Sequence, residues 1–352
     1  MTKKKAIQVL KNGGIFIALM MLTFYIVFKD NSLQEMNRAI EGVQGKYLLV
    51  GVAAMMAFLS CEALNIIRIL RMFSYKIGMR QGLKYALTGF FFSAVTPSAS
   101  GGQPMQLYAM HKDQIKASHG TLALLFELLS FEIVTVSLAI IGFFYQREEI
   151  AHAMGNLQYL LLIGIGLNTI VMILLILAIF SKKTIALLLN IVVKLTYLFS
   201  PQKAEKLRGS LDRQISDYQA SAGYFKANKM IFAKTIGTTL LQILAMYCVP
   251  FLVYKGFGLD TFHLGEVLAL QAVLYVSVSA LPLPGALGIC ESGFMLLFKT
   301  LFPAGILPGA MVLSRGISFY LFVLISGLCV AGFTLFRRKE VCYGIYNTDC
   351  RG

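Results

Sequence analysis

Residues 96–104, Thr96-Pro97-Ser98-Ala99-Ser100-Gly101-Gly102-Gln103-Pro104, set hydroxyls, an amide and two adjacent glycines between strongly apolar flanks. These groups bind; they do not break bonds. Gly101 and Gly102 let backbone N–H groups approach a ligand closely, Thr96, Ser98, Ser100 and Gln103 add side-chain donors and acceptors, and a helix restarting at Pro104 would aim its positive end at an anionic group such as a lipid phosphate. Proline also removes a backbone donor, so no helix runs through Pro97 undisturbed. In hydrocarbon the freed backbone groups find no water, and broken backbone is confined to places buried in protein or lining a cavity. A second run, Leu281 to Glu291, repeats the device with Pro282, Pro284, Gly285 and Gly288. Paired interrupted segments in two halves of a chain point to a transporter's binding site.

Ionisable residues inside apolar segments are costly and mark function by default. Here they are Glu62, Glu127, Glu132, Glu291 and Arg315. Glu127 and Glu132 are five apart, about 140° around a helix, so they do not form one carboxylate pair. Glu291 and Arg315 carry opposite charges and are expected to lower each other's cost as an ion pair, either a fixed brace or a moving gate. Arg68 and Arg71, three apart, share one helix face and are candidate headgroup contacts, because a guanidinium holds phosphate through two hydrogen bonds.

These residues need a membrane scaffold. The chain has 352 residues, 57% hydrophobic and 14% charged, which is the composition of a polytopic membrane protein. Its net charge of +15 sits in short segments between apolar spans, as the positive-inside rule requires; nucleic acid is not the expected partner. Cys61, Cys248, Cys290 and Cys329 lie singly in apolar stretches, without the spacing of a zinc site or a disulfide framework, and Cys342 and Cys350 read as tail thiols. No cofactor or metal is expected. No GxxxxGK[ST] motif is present, which excludes direct drive by ATP through that loop. Lys3, Lys4, Lys5 and Lys11 precede an apolar run without a small-residue cleavage site, so this run reads as a retained first helix and not a signal peptide.

The predicted fold is all-α. Spans are expected at 12–29, 47–70, 118–145, 156–180, 230–254 and 307–336, with interrupted hairpins at 82–111 and 265–302. Basic clusters at Lys3–Lys11, Arg68–Lys84, Lys182–Lys229 and Arg337–Lys339 place both termini and the connector 182–229 in the cytoplasm, with an interfacial helix over 185–199. Each hairpin then enters and leaves by the same face, and the two use opposite faces. Residues 1–150 and 151–340 form a candidate inverted-topology repeat, followed by a short tail, 341–352.

The run TPSASGGQPMQLY, the later PLPGALGICE, Glu127 between them and Arg315 in SRGISFYLFVLISG resemble the flippase-like membrane family called the lysylphosphatidylglycerol synthase transmembrane region, the membrane half of the multiple peptide resistance factor. The resemblance extends over residues 10–336. It implies movement of an aminoacylated or other anionic phospholipid, or a polyprenyl-linked lipid, between leaflets of the cytoplasmic membrane, with a link to cationic-peptide antibiotic resistance. The hairpin residues, Glu127, Glu291 and Arg315 would line or brace the path. Ala286 and Leu128 stand where relatives often carry a glycine and a basic residue. Bifunctional relatives add a soluble aminoacyltransferase domain; this chain ends soon after its last span, so lysyl transfer is not expected of it alone. The alternative is a membrane component of phosphatidylglycerol lysyltransferase, working with a separate lipid-modifying enzyme. Membrane lipids are the expected partners, and homo-oligomerisation is left open.

Overall fold

The computed structural model describes residues 42–155, 158–180, 228–279 and 284–346, with isolated positions 194 and 197. The expected span 12–29, the connector up to residue 227, Pro282 and the last six residues lie outside the described residues. The elements, in order, are α1 (Gly45–Met72), α2 (Met79–Ala94), a 3-10 turn (Pro97–Ala99), α3 (Gly102–Lys112), α4 (Ala117–Tyr145), α5 (Arg147–Met154) and α6 (Gln158–Phe180). After the connector come α7 (Lys229–Tyr247), α8 (Val249–Gly256), α9 (Leu264–Ser279), a second 3-10 turn (Pro284–Ala286), α10 (Ile289–Leu297), α11 (Leu307–Arg315), a π turn (Gly316–Tyr320) and α12 (Leu321–Tyr346). No strand occurs among the described residues. Four helical stretches, Gly45–Met72, Ala117–Tyr145, Lys229–Gly256 and Leu307–Phe333, are long and apolar enough to cross a bilayer.

Both interrupted segments break where the prolines and glycines fall. α2 and α3 are the arms of the first hairpin, and the Thr96 hydroxyl stitches its tip: Oγ1 donates to the Phe92 carbonyl at 2.6 Å and accepts from the Gly101 amide at 2.8 Å. These bonds satisfy backbone groups that the break would otherwise strand. At its base, Lys84 and Tyr85 of α2 both bond the Asp113 carboxylate just past α3. The arms close tightly because Gly102 carries no side chain; a Cβ there would lie 3.0 Å from the Gly89 carbonyl oxygen. α9 and α10 form the second hairpin.

Membrane helices gain little from burying apolar surface against one another, so small residues that allow close approach decide their packing. Gly142 of α4 meets the backbone of Ala269 on α9, and Gly164 of α6 meets the backbone of Ser277 on the same helix. α1 packs along α7, joined by the Asn65 amide donating to Thr239 Oγ1 at 2.9 Å. Each half's last long element packs on the other half's hairpin, α4 on α9 and α12 on α2. The 3-10 turns at Pro97–Ala99 and Pro284–Ala286 touch each other, while a further one, Phe298–Thr300, follows α10.

Two expected spans are less regular than the sequence suggests. The span over 230–254 divides at Cys248, where Val249 starts α8 and Pro250, in its first turn, cannot donate back into α7. The last span is interrupted by the π turn after Arg315, and π turns often sit at functional sites.

Candidate functional site

Where the two broken turns meet, the helices enclose a cavity of about 700 Å³. Ser93, Ala99, Ser100 and Gln103 line it from the first hairpin, and Gly285, Ala286 and Cys290 from the second. Glu62 of α1, Glu127 and Glu132 of α4, Gln242 of α7, and Ser314 and Arg315 of α11 complete its polar wall. Phe58, Phe90, Phe131, Phe294 and Phe319 make much of the rest apolar. On one side the lining is α6, whose Leu167, Ile170 and Val171 are also 46%, 55% and 42% exposed on the outer surface of the chain. That flank carries apolar side chains from the cavity out to where lipid tails would lie.

Arg315 is held by three kinds of contact. Its Nε donates to Glu291 Oε1 at 2.9 Å, its Nη2 donates to the Gly285 carbonyl at 3.0 Å, and the guanidinium lies 4.4 Å from the Phe319 ring centre. The π turn sets this geometry by bringing Phe319 and Tyr320 back beside Arg315. Glu291, only 1% exposed, also accepts from the Tyr320 hydroxyl at 2.9 Å and from the Gly288 amide at 2.7 Å. It thereby caps its own helix, α10, so this helix start presents a carboxylate to its amides in place of an incoming anion. Gly285 (φ 58°) and Gly288 (φ 83°) occupy the left-handed region, which a side chain enters only at a cost. The start of α3 has no side-chain cap and stands beside Ser100 and Gln103.

The predicted residues fall into distinct groups. Ser100, Gln103, Glu127, Gly285 and Arg315 share the cavity wall. Thr96, Gly101, Gly102, Gly288 and Glu291 shape or brace it, and Pro97 begins the first turn. Pro284 begins the second turn, and Ser98 lies within the first; Pro282 falls outside the described residues. Arg68 and Arg71 separate despite their spacing. Arg68 bonds Asn65 Oδ1, the Lys234 carbonyl and Thr238 Oγ1, tying α1 to α7. Arg71 bonds the Ile77 carbonyl at 2.8 Å and borders a surface pocket of about 490 Å³ with Ser74, Tyr75 and Lys76.

Three amides of the cavity wall, Gln106, Asn168 and Gln242, lay outside the sequence reading, which had singled out Glu62 and Glu132. Glu62 accepts from Gln106 Nε2 at 2.9 Å, and both are buried. Asn168 donates to the Val276 carbonyl at 2.9 Å, satisfying one of the orphan carbonyls at the end of α9. Asn168 and Gln242 are lone amides in apolar stretches, which was the available signal, and Gln106 lies three residues beyond Gln103 on α3.

A chain that is helical throughout its described residues, with four helices long and apolar enough to cross a bilayer and two broken hairpins that meet at a cavity, is a polytopic membrane protein. The family described as "Lysylphosphatidylglycerol synthase TM region" matches residues 13–326, and the chain belongs to that family. A relative from Archaeoglobus fulgidus, described as a UPF0104 membrane protein, is 21% identical over 340 residues, covering 93% of this chain and 98% of the relative.

Proposed function

We propose that the protein is a lipid translocator: it moves an anionic or aminoacylated phospholipid, or a polyprenyl-linked lipid, between leaflets of the cytoplasmic membrane. The observation that carries this reading is the cavity at the meeting of the two breaks, polar inside and flanked by exposed Leu167, Ile170 and Val171. A headgroup enters the polar space while its chains stay along α6. Arg315 and the uncapped start of α3 offer donors to a phosphate, and Arg71 with Lys76 gathers anionic headgroups at the surface pocket. The exchange of last spans between hairpins, α4 on α9 and α12 on α2, supports an inverted repeat, and such repeats supply alternating access; the basic clusters of the sequence favour cytoplasmic termini.

The test is transbilayer movement of labelled lipids in proteoliposomes containing this chain, with Gln103→Ala and Glu127→Gln, both on the cavity wall, as controls. Selective movement, lost in both variants, is expected. Movement that is unselective, or unchanged in both, would sink the reading. Membership of a family described by lysylphosphatidylglycerol synthesis favours a second reading, a membrane component of phosphatidylglycerol lysyltransferase. Lysylated lipid formed from phosphatidylglycerol and charged tRNA only when this chain joins a catalytic partner would establish it.

A further inference from the structure

The cavity wall is unevenly charged. Glu62, Glu127 and Glu132 all line it, whereas among the described residues its one cationic side chain is Arg315, whose charge Glu291 already matches. No ion pair among the described residues reaches any of the three lining carboxylates. Gln106 donates to Glu62 Oε1 at 2.9 Å, but Glu132 Oε2 is buried without a partner, and so is Gln242 Oε1 in the same wall. A carboxylate kept from water is costly until a proton or a positively charged group offsets it. The space thus lacks positive charge.

The spread of the carboxylates selects the kind of cation. Glu127 and Glu132 are five apart on α4, about 140° around the helix, and Glu62 comes from α1, so the negative charge is distributed over the wall and not focused at one point. A small metal ion needs converging oxygens to replace its water. A bulky organic cation, with diffuse charge, gives up less on leaving water and responds to the summed field of the cleft. The aromatic lining favours the same guest. Phe319 is taken by the Arg315 guanidinium at 4.4 Å, but among the described residues no cation lies over Phe58, Phe90, Phe131 or Tyr275. These four stand as two pairs, Phe58 with Phe90 at 6.4 Å and Phe131 with Tyr275 at 6.0 Å between ring centres. A cavity of about 700 Å³ takes a drug-sized molecule, and the apolar flank on α6 opens it to one dissolved in the bilayer.

We propose that the cavity binds lipophilic organic cations of the quaternary ammonium or phosphonium type, drawn by Glu62, Glu127 and Glu132 and seated among Phe58, Phe90, Phe131 and Tyr275. Such a molecule enters along α6 and supplies the positive charge that the wall lacks. The inference goes beyond the translocator reading: it uses the same cavity but requires no movement of lipid.

The experiment is equilibrium binding to the purified full chain in non-ionic detergent, with tetraphenylphosphonium as the probe. Tetraphenylborate, of like shape and opposite charge, is the control, and uptake by protein-free micelles is subtracted from both. Saturable binding of the phosphonium, and none of the borate, is expected. Glu127→Gln and Glu132→Gln should each weaken the phosphonium about tenfold, one charge removed from the wall, and Phe131→Leu about threefold. Both Gln variants are near-isosteric and remove charges that hold no ion-pair partner among the described residues. Size-exclusion profiles report folding, and either Gln variant suffices if the other does not fold. Phosphonium uptake no greater than that of micelles, equal uptake of the borate, or unchanged phosphonium affinity in the folded Gln variants overturns the proposal. Lipid movement without phosphonium binding would sink this inference alone; phosphonium binding without lipid movement would count against the translocator reading alone.

Discussion

Replacing Arg315 by Met tests whether the Glu291 ion pair is a structural necessity or an instrument of function. Glu291 is 1% exposed and would keep only the Gly288 amide and the Tyr320 hydroxyl, each a neutral donor. A buried carboxylate stripped of its guanidinium costs about 3–5 kcal/mol, and the Gly285 carbonyl loses a bond worth about 1 kcal/mol. The single variant should therefore unfold far more readily. Removing both charges, as Glu291→Met with Arg315→Met, lifts most of that penalty, because replacing a whole buried pair by apolar side chains of similar volume is often close to neutral. The double variant also forfeits the cap on α10, about 1 kcal/mol, and should recover more than half of the single variant's loss. Reversible unfolding by SDS in mixed micelles, followed by circular dichroism, measures both. Lipid movement should be absent from both, since the cation has left the cavity wall. A single variant within about 1 kcal/mol of wild type, or a double variant no better than the single, would refute this account of the pair.

Two further substitutions probe the scaffold. Gly285→Ala must hold a side chain at φ 58° with its Cβ against the Phe319 ring; it should lower Tm through a cost of about 1–2 kcal/mol and reduce lipid movement, because the displaced ring is the one that steadies Arg315. Gly142→Ala places a Cβ 2.7 Å from the Ala269 carbonyl oxygen and should destabilise the α4–α9 contact, whereas Gly166→Ala meets nothing within 4 Å and should be neutral or slightly stabilising; equal Tm values for the two would contradict the close-packing role of Gly142.

Local chemistry made much of this architecture legible. The first hairpin was expected over 82–111 and the arms cover Met79–Ala94 and Gly102–Lys112, because Pro97 and the Gly101-Gly102 pair act on their own neighbours. The span expected at 118–145 is Ala117–Tyr145. Opposite charge alone paired Glu291 with Arg315. What the sequence hid depends on contacts between distant segments. Gln106 meets Glu62 across 44 residues, and Asn168 reaches Val276 across 108. Arg68 and Arg71 show the same limit: helical spacing puts them on one face, but a neighbour, α7, takes Arg68 for itself. The π turn has no proline or paired glycine to announce it, since Gly316-Ile317-Ser318-Phe319-Tyr320 reads as ordinary apolar helix.

The two hairpins are fastened at opposite ends. In the first, the charged fastening is at the base, where Lys84 and Tyr85 hold Asp113, while the tip keeps only neutral bonds through Thr96. In the second, the charged fastening is near the tip, where Glu291 ties α10 to Arg315 and Tyr320. One behaves as tweezers joined at the handle, whose points can part; the other is pinned at its points and must swing as a block with α11. Because the two tips touch, the compliant one yields first when something is pushed between them, which gives the cavity one soft jaw and one hard jaw.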